Sequence, residues 1–196
     1  MKQKINARMI AAVGVLTAVA VVLQYLEISI PIVPSFLKLD FSDLPALWGA
    51  FAFGPLAGVL IQLLKNLIHM AVSQSGFVGE LSNFLLGAVF VLTAGWIYQR
   101  KKTKARALVA GLSGAAAMAI VSVPVNYFLI YPLYYNVIGF PEAAVLDMYQ
   151  AILPSVRSIF EALLIFNLPF TLVKGLISVA VSMLIYKPLS RLFKGK

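Results

Sequence analysis

Lys174 stands in an apolar run, 159 to 186, that contains no other cation. A lysine that deep in a membrane-like segment is costly unless it lines a polar cavity or meets a partner. Two kinds of chemistry are open to it: donating hydrogen bonds to a ligand, or snorkelling and pairing inside the protein. Lys65, followed by Asn66, is the second lysine in an apolar stretch, and it either pairs with Asp40 or Asp43 near one membrane face or forms part of a site. Asn83, Asn126, Asn167 and Thr171 can converge with Lys174 from neighbouring helices, which would make a cavity able to donate and accept several hydrogen bonds. Each can equally be interhelical glue, the commoner fate of a lone asparagine in a membrane. Phe36, Phe41, Tyr127, Tyr131, Tyr134 and Tyr135 fall at the same level, as an interfacial aromatic belt or as stacking partners. His69 is the only histidine and reads as an interfacial hydrogen-bonding residue.

The missing chemistry narrows the function. With no cysteine there are no disulfides, thiolate metal sites or thiol nucleophiles. No glycine-rich phosphate loop is present, and no residue set supplies both a nucleophile and a base, which argues against an enzyme. All seven acids can be placed at outer helix ends or in outer loops, so none forms a mid-membrane relay suited to ion coupling.

The elements that must hold these residues follow from charge and hydropathy. Hydrophobic residues make up 61% of the chain, charged residues 12%, and the mean hydropathy is +0.94. These values describe an all-α polytopic membrane protein, read here as one membrane domain over 1–196. The net charge of +9 resides mostly in three basic clusters, Lys2/Lys4/Arg8, Arg100/Lys101/Lys102/Lys104/Arg106 and Lys187/Arg191/Lys194/Lys196. They flank apolar spans without interleaved aromatics, so they indicate orientation in the membrane and not nucleic-acid binding. All three belong on the cytoplasmic side, and the chain crosses an even number of times between them. The N-terminal apolar run exceeds signal-peptide length and has no small-residue cleavage site before Glu27, so it is expected to be retained as the first helix.

Residues 29 to 43, with Pro31, Pro34, Lys38, Asp40 and Asp43, suit neither a lipid-facing helix nor a strand and read as an outer loop. If 44 to 72 were a single span, the middle basic cluster would lie outside. A tight turn at Gly54-Pro55 brings it back. Six transmembrane helices are therefore expected, near 7 to 28, 43 to 53, 55 to 73, 80 to 99, 106 to 134 and 156 to 192, with both termini cytoplasmic. The second has about 11 residues and reaches only about 16 Å, against a hydrocarbon thickness of about 30 Å. Residues 136 to 155 read as an outer loop with at most a short interfacial helix. Small-residue spacings at Ala7-xxx-Ala11, Gly54-xxx-Gly58 and Gly111-xxx-Ala115 allow close backbone approach.

Four runs carry a resemblance to a known family: Leu37-Lys38-Leu39-Asp40-Phe41-Ser42-Asp43-Leu44-Pro45, Phe53-Gly54-Pro55-Leu56-Ala57-Gly58, Val125-Asn126-Tyr127-Phe128 with Leu133-Tyr134, and Pro169-Phe170-Thr171-Leu172-Val173-Lys174-Gly175. Together they span nearly the whole chain and resemble the riboflavin-specific substrate-binding (S) components of energy-coupling factor (ECF) transporters. The resemblance implies the S-component fold and capture of riboflavin from outside, with FMN as a further candidate ligand and no resident cofactor. By motif, Asn126 matches the ring-binding Asn of helix five, Lys174 the helix-six Lys, Asn83 an Asn at the outer start of helix four, and Leu39 with Asp40 a lid-like loop. The family's helix-six Asn is here Thr171, so either its shorter hydroxyl or Asn167 one turn earlier could supply that contact. Ala7 and Ala11 match a helix-one stretch that docks the transmembrane coupling subunit, and the implied partners are that subunit, two cytosolic ATPases and membrane lipid. An S component for another vitamin and a stand-alone secondary carrier are the rival readings.

Overall fold

The computed structural model describes residues 7–187. Lys2 and Lys4 of the first basic cluster, Arg191, Lys194 and Lys196 of the last, and the expected end of the final helix lie outside the described residues. Seven helices follow in order: α1 (Ala7–Tyr25), α2 (Asp43–Phe53), α3 (Pro55–His69, prolonged by a 3-10 turn at Met70–Val72), α4 (Val78–Arg100), α5 (Lys104–Ile138), α6 (Glu142–Gln150) and α7 (Ile159–Leu184). Among the described residues five of these, α1, α3 with its 3-10 turn, α4, α5 and α7, are long and apolar enough to cross a membrane. The 11 residues of α2 do not suffice alone. α6 is the short helix allowed for in the last outer loop.

The first outer loop departs from the expectation that no strand would form there. Strands β1 (Ile28–Ser29) and β2 (Lys38–Leu39) pair antiparallel, Ile28 opposite Leu39 and Ser29 opposite Lys38. Pro31 and Pro34 lie in the connection and not in the ladder, so neither removes a strand hydrogen bond. Backbone turns close that connection, Val33 N–H donating to Ile30 O at 3.1 Å and Leu37 N–H to Pro34 O at 2.9 Å.

The turn at Gly54-Pro55 forms as expected. Gly54 has φ 92° and ψ 165°, a conformation that costs glycine least, and Pro55 opens α3 where its missing N–H has no helical partner to lose. α2 then returns along α3 as an antiparallel hairpin. A Cβ placed on Gly58 would lie 2.8 Å from Ala50 Cβ, 2.9 Å from Ala46 O and 3.0 Å from Val91 Cβ, so the backbones of α2, α3 and α4 meet there. Gln99 closes the turn end of the hairpin, its amide donating to the carbonyl of Phe51 at 2.9 Å and at 3.2 Å to that of Ala50, which also accepts from the Gly54 N–H at 3.0 Å.

The half of the bundle away from the first loop is built by such close approaches: Ala46, Ala50, Ala57, Ala94, Ala107, Ala110 and Ala115 are all buried in one apolar cluster. Gly111 and Ala115 belong to this packing, against Val179 and Gly175 of α7. Ala7 and Ala11 do not, since both are exposed on α1. A second cluster at the other end joins Val33, Tyr131, Val145, Tyr149 and Phe166, and so fastens the loop and α6 over the ends of α5 and α7.

Both long helices widen in their outer parts. π-helical segments span Asn126–Ile130 and Tyr134–Ile138 in α5 and Leu163–Asn167 in α7. Two of them end immediately before an X-Pro step: Tyr131 N–H bonds back to Asn126 O ahead of Pro132, and Leu168 N–H to Leu163 O ahead of Pro169. A proline inside a helix clashes with the carbonyl four residues earlier, and a widened turn relieves that clash. Asn126 begins one widened turn and Asn167 ends another.

Gly58→Leu should drive α2 from α3 and lower stability by about 3 kcal/mol, at the upper end of ordinary overpacking. The check is the thermal unfolding midpoint of the detergent-purified protein, and a midpoint equal to that of the unsubstituted chain would contradict the hairpin packing.

Candidate ligand-binding site

A cavity of about 630 Å³ opens at the end of the bundle capped by the first loop, between that loop and the adjoining parts of α3, α4, α5 and α7. Pockets of about 300–1,000 Å³ with apolar walls and a few polar groups are those that take small organic ligands. Phe36, Leu86, Met118, Ile130, Tyr131 and Phe170 supply wall. Phe36 is fixed edge-on against Tyr149 and Tyr131, with ring centroids 5.7 Å and 6.3 Å away.

Four buried charges alternate at and beneath its floor, Lys65 being the one behind the lining. Lys174 Nζ lies 2.8 Å from Asp40 Oδ2 and 3.6 Å from Asp43 Oδ2, and Lys65 Nζ lies 2.9 Å from Asp43 Oδ1. Asp43 Oδ1 also accepts from Gln62 Nε2 at 2.8 Å. Asp40 Oδ1 accepts from the backbone N–H of Ser42 at 2.8 Å and from the Ser42 hydroxyl, which in turn accepts from Lys65. Burial alone would raise the pKa of Asp40, but the ammonium groups of Lys174 and Lys65 outweigh it and hold that carboxyl below its ordinary value. The internally paired reading of Lys174 and the expected pairing of Lys65 with an outer aspartate thus both occur, while Lys174 still lines the cavity.

The asparagines differ in how much bonding capacity they keep. Asn83 offers Nδ2 to Asp40 Oδ2 at 3.5 Å, and its Oδ1 is buried with no hydrogen-bond partner among the described residues. Asn126 donates to Ser122 O at 2.8 Å and accepts weakly from Ser82 Oγ at 3.4 Å. Asn167 is committed to protein, donating to Tyr131 Oη at 3.1 Å and accepting from Tyr149 Oη at 2.6 Å. Thr171 is buried and lines the cavity.

Asp40, Asn83, Asn126, Asn167, Thr171 and Lys174 thus meet around one space, whereas Leu39 does not reach it: it sits half-buried in β2 opposite Ile28. Of the six aromatics placed at this level, Phe36, Tyr131 and Tyr134 line the cavity, while Tyr127 is 41% exposed and packs on Phe128 and Phe160 as a belt residue would.

Sequence reasoning missed a second polar group at the mouth. His69 Nδ1 is 2.9 Å from Glu80 Oε1, and Glu80 Oε2 accepts from Ser73 at 2.8 Å and Ser75 at 3.1 Å. Lys38 bonds to Glu27 and reaches Gln74 Oε1 at 3.4 Å, which ties the β1–β2 loop to the α3–α4 connection. The available signal was a histidine eleven residues before the single acid of the next helix start. No group of three or more His, Cys, Asp or Glu able to hold a metal occurs among the described residues. The arrangement suits binding of an uncharged ligand with hydrogen-bonding edges, because the four charges of the floor already neutralise one another.

The comparisons agree with one another. A family profile described as "ECF transporter, substrate-specific component" matches residues 8–186. The chain is 36% identical over 190 residues to the "Riboflavin transporter RibU" of Staphylococcus aureus (strain TCH60), covering 96% of this chain and 93% of that protein. It is 30% identical over 184 residues to the "Riboflavin transporter FmnP" of Bacillus subtilis (strain 168), covering 92% and 91%. A solved structure described as "Structure and mechanism of the S component of a bacterial ECF transporter" superposes with a TM-score of 0.74 at 33% identity, covering 95% of this chain and 98% of that one.

Lys174→Met should destabilise the protein by about 3–5 kcal/mol, since it strands the buried Asp40 carboxylate, and adding Asp40→Asn should recover most of the loss. The sign with pH follows from the lowered pKa of Asp40. Its contribution is complete above the ordinary carboxylate value of 3.8 and is lost as pH falls through and below it. Unfolding midpoints of the three proteins across that range are the measurement, and no recovery in the double variant would refute the pairing.

Proposed function

The chain belongs to the family of ECF transporter substrate-specific components, and from that premise we propose that it captures riboflavin from outside the cell for ATP-driven uptake. It is a multi-pass membrane transport protein and not an enzyme. The observation that carries the ligand assignment is the buried, unpartnered Oδ1 of Asn83 on the wall of an aromatic-sided cavity whose floor charges balance. Riboflavin is uncharged and couples a flat ring, whose imide edge both donates and accepts, to a polyol. Asn83 Oδ1 is an acceptor awaiting such a donor, and Asn126 and Thr171 add hydrogen-bonding capacity beside it. Lys174 has N–H capacity beyond its bond to Asp40 and donates to a carbonyl or hydroxyl of the ligand. Asp40 and Leu39 act through the loop that closes the mouth, and Asn167 acts through the tyrosines it holds.

The coupling energy comes from partners: a transmembrane coupling subunit and two cytosolic ATPases. Ala7 and Ala11 form the docking face, and their exposure on α1 supports this. The chain lies in the cell membrane with six spans, α2 completing one of them together with the outer loop, and both termini are cytoplasmic. The α2–α3 hairpin and the basic residues at the α4–α5 connection support that orientation.

The purified chain should carry flavin absorbance or bind riboflavin with submicromolar affinity, and Asn83→Ala should weaken binding at least tenfold, the cost of one unmet buried donor. Failure of the unsubstituted chain to bind riboflavin ends the assignment. Titration with FMN and other vitamins identifies any different ligand.

Ala11→Trp should leave binding intact and abolish uptake in cells that hold the coupling machinery. Unchanged uptake removes the docking role. Because the chain lacks cysteine, single cysteines at Lys102 and Ser35 report topology cleanly. An impermeant thiol reagent applied outside should label only the second.

A further inference from the structure

Lys65 is fully buried on α3 and does not line the cavity, yet it touches both acidic residues of the floor, one directly and one through a hydroxyl. We infer that Lys65 is a positioning residue for ligand binding: by neutralising Asp43 and ordering Asp40 through Ser42, it leaves the Lys174 ammonium at the cavity wall. The inference rests on the riboflavin reading above.

The geometry is asymmetric in the sense this requires. Lys174 sits 2.8 Å from Asp40 Oδ2 but 3.6 Å from Asp43 Oδ2, although both carboxylates are buried and both face it. Asp43 already has an ammonium at 2.9 Å and a Gln62 amide at 2.8 Å on its other oxygen, so its pull on Lys174 is diminished. Asp40 has no second cation in direct contact among the described residues. Its Oδ1 is occupied by the Ser42 N–H and hydroxyl, which leaves Oδ2 facing Lys174 and Asn83.

Remove the charge of Lys65, and one ammonium faces two carboxylates in a medium that screens them poorly. Lys174 is then drawn between them, away from the ligand, and Ser42 loses the donor that fixes its hydroxyl toward Asp40. Asp43 is assigned no ligand contact in this scheme: Lys65 and Gln62 hold its Oδ1, and Lys174 stands 3.6 Å from its Oδ2. Four charges that sum to zero thus act as two pairs of different duty: Lys65 with Asp43 is structural, and Lys174 with Asp40 is presented to the cavity.

The test compares riboflavin affinity, by flavin fluorescence titration of the purified chain, for Lys65→Met, Lys65→Arg and Lys65→Met/Asp43→Asn. The expected results are at least a tenfold loss for Lys65→Met and recovery to within threefold of the unsubstituted chain for the charge-neutral double variant. Lys65→Arg keeps the charge and should fall between the other two. A Lys65→Met affinity within threefold of the unsubstituted chain, or a double variant no better than Lys65→Met, overturns the inference. If Lys65→Met does not fold, the double variant decides: near-normal binding supports the inference, and weak binding or failure to fold overturns it. Should the unsubstituted chain not bind riboflavin, the ligand reading fails instead. The charge balance then rests on the unfolding midpoints of the ligand-free proteins, where the double variant must exceed Lys65→Met.

Discussion

The alternation Lys65, Asp43, Lys174, Asp40 is the constraint around which this structure is organised. An isolated ammonium or carboxylate at that burial would be strongly unfavourable, and the attraction between opposite charges offsets desolvation only with good geometry and further hydrogen bonds. Ser42, Gln62 and Asn83 provide those bonds. The four charged residues come from α2, α3, α7 and the first loop, so the loop cannot leave and α7 cannot rotate without stranding a charge. A connection that carries Pro31 and Pro34 and has only a two-residue strand pair of its own is ordered in this way by electrostatics at its end, and by Phe36 wedged against two tyrosines nearer its middle.

Why the space lies above those charges and not below them follows from residue size. The inner halves of the helices meet through alanine and glycine, with backbones too close to leave a void. The outer halves carry larger side chains, and α5 and α7 are widened by π turns next to Pro132 and Pro169. Asn126 and Asn167 sit at the junctions of wide and regular turns, in register with the buried Ser122 and Thr171 one α-turn away, so both face the interior. α6 then covers the outer end, with Tyr149 bonded to both Tyr131 and Asn167.

Much of this was legible in the sequence because the strongest signals are costs that cannot be hidden. Two lysines in apolar runs demanded partners, and two aspartates in one proline-rich loop were the available ones. Gly54-Pro55 and the middle basic cluster together required a turn, and it is there. The β1–β2 pair was not foreseen, since prolines in the connecting loop masked a ladder only two residues long. The commitments of the individual asparagines were also invisible. Asn83, Asn126 and Asn167 are the same residue type at similar depth, and only three-dimensional neighbours distinguish the open acceptor of the first from the closed tyrosine network of the last. The Glu80–His69 pair at the mouth was missed for a related reason, because the eleven-residue spacing that hints at it bridges a turn whose path only the fold reveals.

Neutrality of the floor also bears on how such a chain can work in a membrane held at a potential. Moving one elementary charge across 100 mV involves about 2.3 kcal/mol, so a binding site with surplus charge would make reorientation depend on voltage in every cycle. Here two ammonium and two carboxylate groups cancel within one hydrogen-bonded cluster, and an uncharged ligand adds nothing to that sum. The loaded and empty cavities therefore carry the same net charge, and the potential neither drives nor opposes the difference between them. A floor arranged this way gives the membrane field no net charge on which to work, and among the described residues the acids form no chain across the bundle that could draw on an ion gradient. Neutrality at the floor thus fits a substrate-specific component, whose part in an ECF transporter is to bind and not to drive.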